Sequence, residues 1–109
     1  MATGDQYRAA AQESVFRSVN ESIERGQWPG DEYQPVAFRC ECARLGCNQL
    51  IPLTREEYER VRTNPQWFVM VSGHELHAVE IVVSTHPDYI VVEKRGAAGS
   101  VAETMDPRS

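Results

Sequence analysis

Apolar residues in the first quarter of the chain recur at helical spacing. Ala9, Phe16, Val19 and Ile23 share one stripe, Arg25 falls in the last turn and Gly26 supplies a stop, so the pattern predicts a helix over residues 5–25. Its stripe is narrow, and burial contributes only roughly 1.5–3 kcal/mol per fully buried large apolar side chain, so this helix depends on packing against the rest of the chain. The run Trp28-Pro29-Gly30-Asp31-Glu32 reads as a turn-rich connector. Beyond it the period changes to two: Val36, Phe38 and Cys40 alternate with Ala37 and Arg39, as in a half-buried strand. Residues 49–53 form a second short extended run.

Leu53-Thr54-Arg55-Glu56-Glu57-Tyr58 is the sharpest local signal. Thr54 and Glu57 make a capping box, and Leu53 and Tyr58 occupy the two staple positions, so a helix begins at Arg55. Pro65 disfavours a helical conformation at Asn64, which ends that helix near Thr63. Residues 66–71 read as a strand. In residues 76–86 the apolar positions fit two periods: Val79, Val82, Val83 and His86 have helical spacing, while Val79, Ile81 and Val83 alternate; the β-branched content favours a strand. Pro87-Asp88 turns the chain, residues 89–94 form a strand by composition, and the small, polar segment 96–109 is expected to be a flexible tail with one weak turn around Val101.

The chain has 109 residues, 41% hydrophobic and 25% charged, which suits one soluble globular domain spanning residues 1–109. It divides into the N-terminal helix (1–26), a core (36–94) and the tail. The formal charge of −5 is opposite to the electrostatic footprint of a nucleic-acid-binding protein. By segment the charge is −3 over residues 1–38, +1 over 39–62 and −3 over 63–109, so a local positive field belongs to the middle. No run approaches the roughly 18 apolar residues of a membrane-spanning helix, and the N-terminus lacks the pattern of a secretory signal, so a cytoplasmic location is expected.

All three cysteines lie within eight residues, as Cys40-Glu41-Cys42-Ala43-Arg44-Leu45-Gly46-Cys47. An odd number cannot pair off internally and a reducing compartment keeps thiols free, so thiolate ligation of a metal explains the cluster better than disulfides. Residues two apart on a strand point the same way, which puts Cys40 and Cys42 on one face, and a turn at Leu45-Gly46 returns Cys47 toward them. Zinc takes four tetrahedral donors, so a closed site needs one more. Three histidines compete. His74 is favoured because Gly73 lets the backbone turn and the strand over 66–71 leads to it; His77 comes second, and His86 before Pro87, an acidic group or water come last. The competing reading of the cysteines as small buried hydrophobes is weaker, since Glu41 and Arg44 make the segment polar.

An ordered set of pieces resembles a family of small, uncharacterised zinc-binding proteins of actinobacterial type. The pieces are Phe16-Arg17-Ser18-Val19-Asn20-Glu21-Ser22-Ile23, then Phe38-Arg39-Cys40-Glu41-Cys42 with Cys47, then Leu53 through Arg62, Gly73-His74-Glu75, Glu80, Tyr89 through Lys94 and Asp106-Pro107-Arg108. The resemblance implies Cys40, Cys42, Cys47 and His74 as ligands of one Zn2+ per chain. It also implies a short helix over residues 77–85, which is the expectation adopted. The fold class that follows is α+β: an N-terminal helix, a small mixed sheet and two shorter helices, organised around a zinc knuckle. Two positions depart from the family pattern: Ala43 stands where a glycine usually follows the second cysteine, and Ser72 where a proline often precedes Gly-His.

Enzymatic zinc is disfavoured. His74-Glu75-Leu76-His77 places two imidazoles at i, i+3, one residue short of H-E-x-x-H, and neither the deaminase signature nor a phosphate-binding glycine loop occurs. A structural zinc in a protein-interaction or regulatory module, with a protein partner, is the leading expectation. A thiol redox switch that releases zinc on oxidation is the alternative. Arg39, Arg44, Arg55, Arg60 and Arg62 could serve an acidic partner, but Glu41, Glu56, Glu57 and Glu59 nearly cancel them, and solvated helix pairs explain them better.

Overall fold

The computed structural model describes residues 4–26 and 33–108. The connector expected at residues 28–32 lies outside the described residues. In chain order the elements are α1 (Gly4–Arg25), β1 (Val36–Arg39), β2 (Leu50–Leu53), α2 (Arg55–Val61), β3 (Trp67–Met70), β4 (Glu80–Thr85), β5 (Ile90–Lys94) and α3 (Gly96–Thr104). The α+β class is as expected. The strands, however, form two antiparallel sheets, β1-β2 and β3-β5-β4, in place of one mixed sheet. Parallel neighbours require a crossover of a dozen or more residues. Among the described residues the only helix between consecutive strands, α2, leads from one sheet to the other.

The hairpin β1-β2 alternates as its sequence does: Phe38, Ile51 and Leu53 are buried while Ala37, Leu50 and Pro52 face out. Phe38 stacks on Tyr58 of α2 with ring centroids 4.5 Å apart. The capping box forms in full, with the Glu57 amide donating to Thr54 Oγ1 at 3.0 Å and the Thr54 amide to Glu57 Oε1 at 2.8 Å. Residues Phe68, Val69 and Met70 of β3 and Val91 and Val92 of β5 complete the core with Val61 and Ala102.

Helix α1 has the expected extent, but it docks through a different face. Val15 and Val19 are exposed, and Phe16 is half-buried beneath the Arg39 guanidinium. The buried face carries Ala10, Glu13, Ser14, Arg17, Asn20, Glu21 and Glu24. Arg17 donates to the carbonyls of Pro65 (2.6 Å) and Ala102 (2.7 Å) and lies over the Phe68 ring. Arg62, buried at the end of α2, pairs with Glu21 and Asp106. Lys94 is held between Glu13 and Glu80, all three side chains fully buried. Polar partners far along the chain, not an apolar stripe, orient this helix.

Two further expectations are corrected. Residues 77–85 do not form a helix: the Leu76 carbonyl accepts from the amides of Val79 and Glu80 in a turn, and β4 follows. The β-branched Ile81 and Val82 pair with Glu93 and Val92 of β5, Val83 sits at a register irregularity, and Glu80 turns inward to Lys94. The segment after Gly96 is not a flexible tail either. It forms α3, which packs on α1, and Arg108 reaches back to Glu21, Glu24 and Glu59.

Candidate metal centre

The β1 strand carries the chain straight into the cysteine segment, and the Cys40 amide extends the hairpin ladder by donating to the Gln49 carbonyl at 3.0 Å. Alternation then puts Cys40 and Cys42 on one side and Glu41 on the other. Gly46, at φ 78°, makes the turn that returns Cys47; only a residue tolerant of positive φ fits there. Gly73, at φ 93°, does the same after β3, where the His74 amide donates to the Val71 carbonyl at 3.0 Å. Ala43 is accommodated in place of a glycine, because among the described residues none other than glycine has positive φ.

These turns converge Cys40, Cys42, Cys47 and His74 so that their donor atoms all lie within 4.8 Å of one another. His74 Nδ1 is 3.6 Å from Cys40 Sγ and 3.7 Å from Cys47 Sγ. Bond lengths of 2.3 Å to sulfur and 2.0–2.1 Å to nitrogen at a tetrahedral angle give a sulfur–nitrogen edge of about 3.6 Å. The two sulfur–nitrogen edges therefore match the donor spacing of a tetrahedral ion. Cys40 Sγ also receives the Val71 amide at 3.2 Å, and the backbone at Arg44 and at Gln49 draws the Cys42 and Cys47 thiols down. Amides aimed at sulfur favour the thiolate.

Cys40 and Cys42 are buried, and burial pushes both thiols up from the ordinary value. Cys47 is only partly buried. Burial pushes it up, but the Gln49 amide, the two other cysteines and the Arg39 charge outweigh that and leave it low. Burial and the neighbouring Arg44 charge hold His74 below the usual imidazole range, so at neutral pH it is the neutral form able to ligate. Cys47 and His74 also line a surface cavity of about 250 Å³ with Arg44, Leu45, Asn48 and Gln49, while Cys40 and Cys42 face inward.

The two other histidines are elsewhere. His77 is exposed beside Glu75, and His86 stacks on Tyr89 and contacts Ser84 Oγ. The middle arginines are largely engaged within the fold. Arg44 donates to the Gly73 carbonyl at 2.8 Å, clasping the His74 loop, and Arg39 to the Cys47 carbonyl at 2.7 Å. Arg60 pairs with Glu56 one turn away.

Glu41 is the residue whose role the sequence did not single out. It is fully buried, and its carboxylate accepts from Asn20 Nδ2 (2.8 Å), the Tyr58 hydroxyl (3.0 Å) and the Val69 amide (2.9 Å). Its own amide donates to the Val69 carbonyl. Burial raises its pKa, opposed by those three donors and Arg17. The signal was present in the alternation: a residue between two inward cysteines on an extended chain must point the other way, into whatever lies behind.

Comparison of the chain with family models, curated proteins and solved structures finds no match. Among the described residues no helix is long and apolar enough to cross a membrane.

Proposed function

We propose that Cys40, Cys42, Cys47 and His74 hold one zinc ion in a structural site, and that the domain is a protein-interaction or regulatory module of the small actinobacterial-type zinc-binding kind. The convergence of four donors within 4.8 Å, with His74 Nδ1 at tetrahedral spacing from two of the sulfurs, supports this reading most directly. Three thiolates with one imidazole suit zinc, and four protein donors leave no open position for a substrate. The interaction half of the reading draws on the knuckle tip. Leu45, on the turn beside Cys47, is 99% exposed, and Leu50, at the start of β2, is 61% exposed.

Elemental analysis of the purified chain should find one zinc, and His74→Ala should lower metal retention far more than His77→Ala. Equal losses from both variants would overturn the ligand set. Metal-free protein of unchanged thermal stability would overturn the structural role.

The outward exposure of Cys47 and His74 favours a second reading, a thiol switch. Hydrogen peroxide would oxidise two of the thiolates to a disulfide, taking up two protons as it is reduced to two waters, and the zinc, stripped of two donors, would be released. Zinc release at stoichiometric peroxide, reversed by a thiol reductant, would establish the switch; resistance would leave the metal purely structural.

A further inference from the structure

We infer that a small anionic thiol draws zinc from the candidate centre through the cavity over Cys47 and His74, and that His74 is the donor it displaces. This rests on the four-donor zinc reading.

The four donors are not equally reachable. Cys40 (1% exposed) and Cys42 (0%) lie within the core, whereas Cys47 and His74 are partly exposed and share the wall of the cavity of about 250 Å³ with Arg44, Leu45, Asn48 and Gln49. Among the described residues, a bound ion is therefore reached from one side. Tyr33, where the described chain resumes after residues 27–32, borders Arg55, Glu56 and Glu59, and β1 leads away from there to Cys40. The cavity is smaller than the roughly 300–1,000 Å³ of sites for drug-sized ligands, which limits its occupant to a small molecule.

His74 is the least anchored donor. A ligating histidine usually gives its second ring nitrogen to a carboxylate or carbonyl, which fixes the ring. Among the described residues His74 Nε2 has no such partner; only Nδ1 is engaged, by Cys40 and Cys47. A neutral imidazole also surrenders less attraction to a divalent cation than a thiolate does. Cys40, by contrast, is enclosed and accepts the Val71 amide.

Charge selects the kind of thiol. Three thiolates and a divalent ion leave one negative charge, which Arg39 and Arg44 offset, each tied to the knuckle through a carbonyl. The cavity wall carries a guanidinium and no carboxylate, and the nearby Glu75 accepts the Gly73 amide at 2.8 Å. The step is a ligand exchange: the incoming sulfur bonds zinc as the bond to Nδ1 breaks, the imidazole leaves neutral, and no electron changes hands.

Zinc transfer from the loaded full chain to an excess of chelator dye tests this, with mercaptoacetate as the anionic thiol and cysteamine as its cationic counterpart. The rate should rise with mercaptoacetate and exceed that with cysteamine by about threefold or more at equal thiolate concentration. Asn48→Asp, a change on the exposed cavity wall, should narrow that ratio. His74→Cys, which keeps a fourth donor, should lose about tenfold or more of the thiol-dependent rate. Without dye, saturating mercaptoacetate should turn the zinc shell of the unaltered chain from three sulfurs and one nitrogen to four sulfurs, a readout that needs no variant. A rate indifferent to thiol, an equal or faster rate with cysteamine, full acceleration in His74→Cys or a shell that keeps its nitrogen would each overturn the proposal and leave the zinc site standing. A chain that takes up no zinc would overturn both.

Discussion

Glu41 shows how one side chain joins the cysteine segment to the fold behind it. Its carboxylate gathers Asn20 of α1, Tyr58 of α2 and Val69 of β3, while its two neighbours in sequence belong to the cluster of four candidate donors. Removing a buried acceptor leaves each donor with a desolvation cost of about 1–3 kcal/mol. Glu41→Ala should therefore lower unfolding free energy in urea by about 3 kcal/mol or more, and a loss under about 1 kcal/mol would deny it the role. The donors themselves predict a pH effect. Cys40 and Cys42 are raised by burial, so a bound ion must displace their protons. Apparent zinc affinity, measured by competition with a chelator dye, should fall as pH falls; affinity flat between pH 8 and 6 would argue against thiolate donors.

At the scale of elements, α2 was legible down to its capping box, and Thr54→Ala should cost about 1 kcal/mol in thermal or urea unfolding, as lost N-caps do. The docking face of α1 was not legible. Hydrophobic periodicity reports apolar faces, whereas this helix is seated by Glu13, Arg17, Asn20 and Glu21, whose partners lie between 19 and 87 residues away. The strand at 80–85 was visible in its β-branched residues; the resemblance pointed to a helix, and β5 pairing decided otherwise. Helix α3 escaped notice because Ala98, Gly99 and Ala102 are too small to form a visible stripe, yet all three are buried.

The triad that docks α1 has a titration consequence. Burial foremost, and then the Glu80 charge, push Glu13 from 4.5 up to about 9 against the pull of Lys94. The proton on Glu13 leaves one ammonium facing one carboxylate. An acid raised in the folded state contributes stability that is full below its unfolded value and is lost as pH rises through the folded one. Thermal stability should therefore decline between pH 5 and 9, by on the order of a few kcal/mol in total. Glu13→Gln should flatten that decline; an unchanged slope would place the proton elsewhere.

Across the whole molecule, the candidate metal centre lies where the two sheets meet. Cys40 continues the β1-β2 hairpin, while Val71 and His74 follow β3, so the four donors tie hairpin to three-stranded sheet. The spacing of the cysteines announced the site in sequence, and Gly73 pointed to His74. The partition into two sheets did not show, since it depends on long-range pairing that no local pattern encodes. Chelation should loosen the hairpin first: amides of residues 36–53 should lose exchange protection before those of β5, which is paired on both sides.

X-ray absorption at the zinc edge of the purified, metal-loaded chain reads the donor set itself. A shell of three sulfurs at about 2.3 Å and one nitrogen at about 2.0–2.1 Å is the predicted result. A shell of oxygen and nitrogen alone, or two sulfurs in place of three, would contradict it.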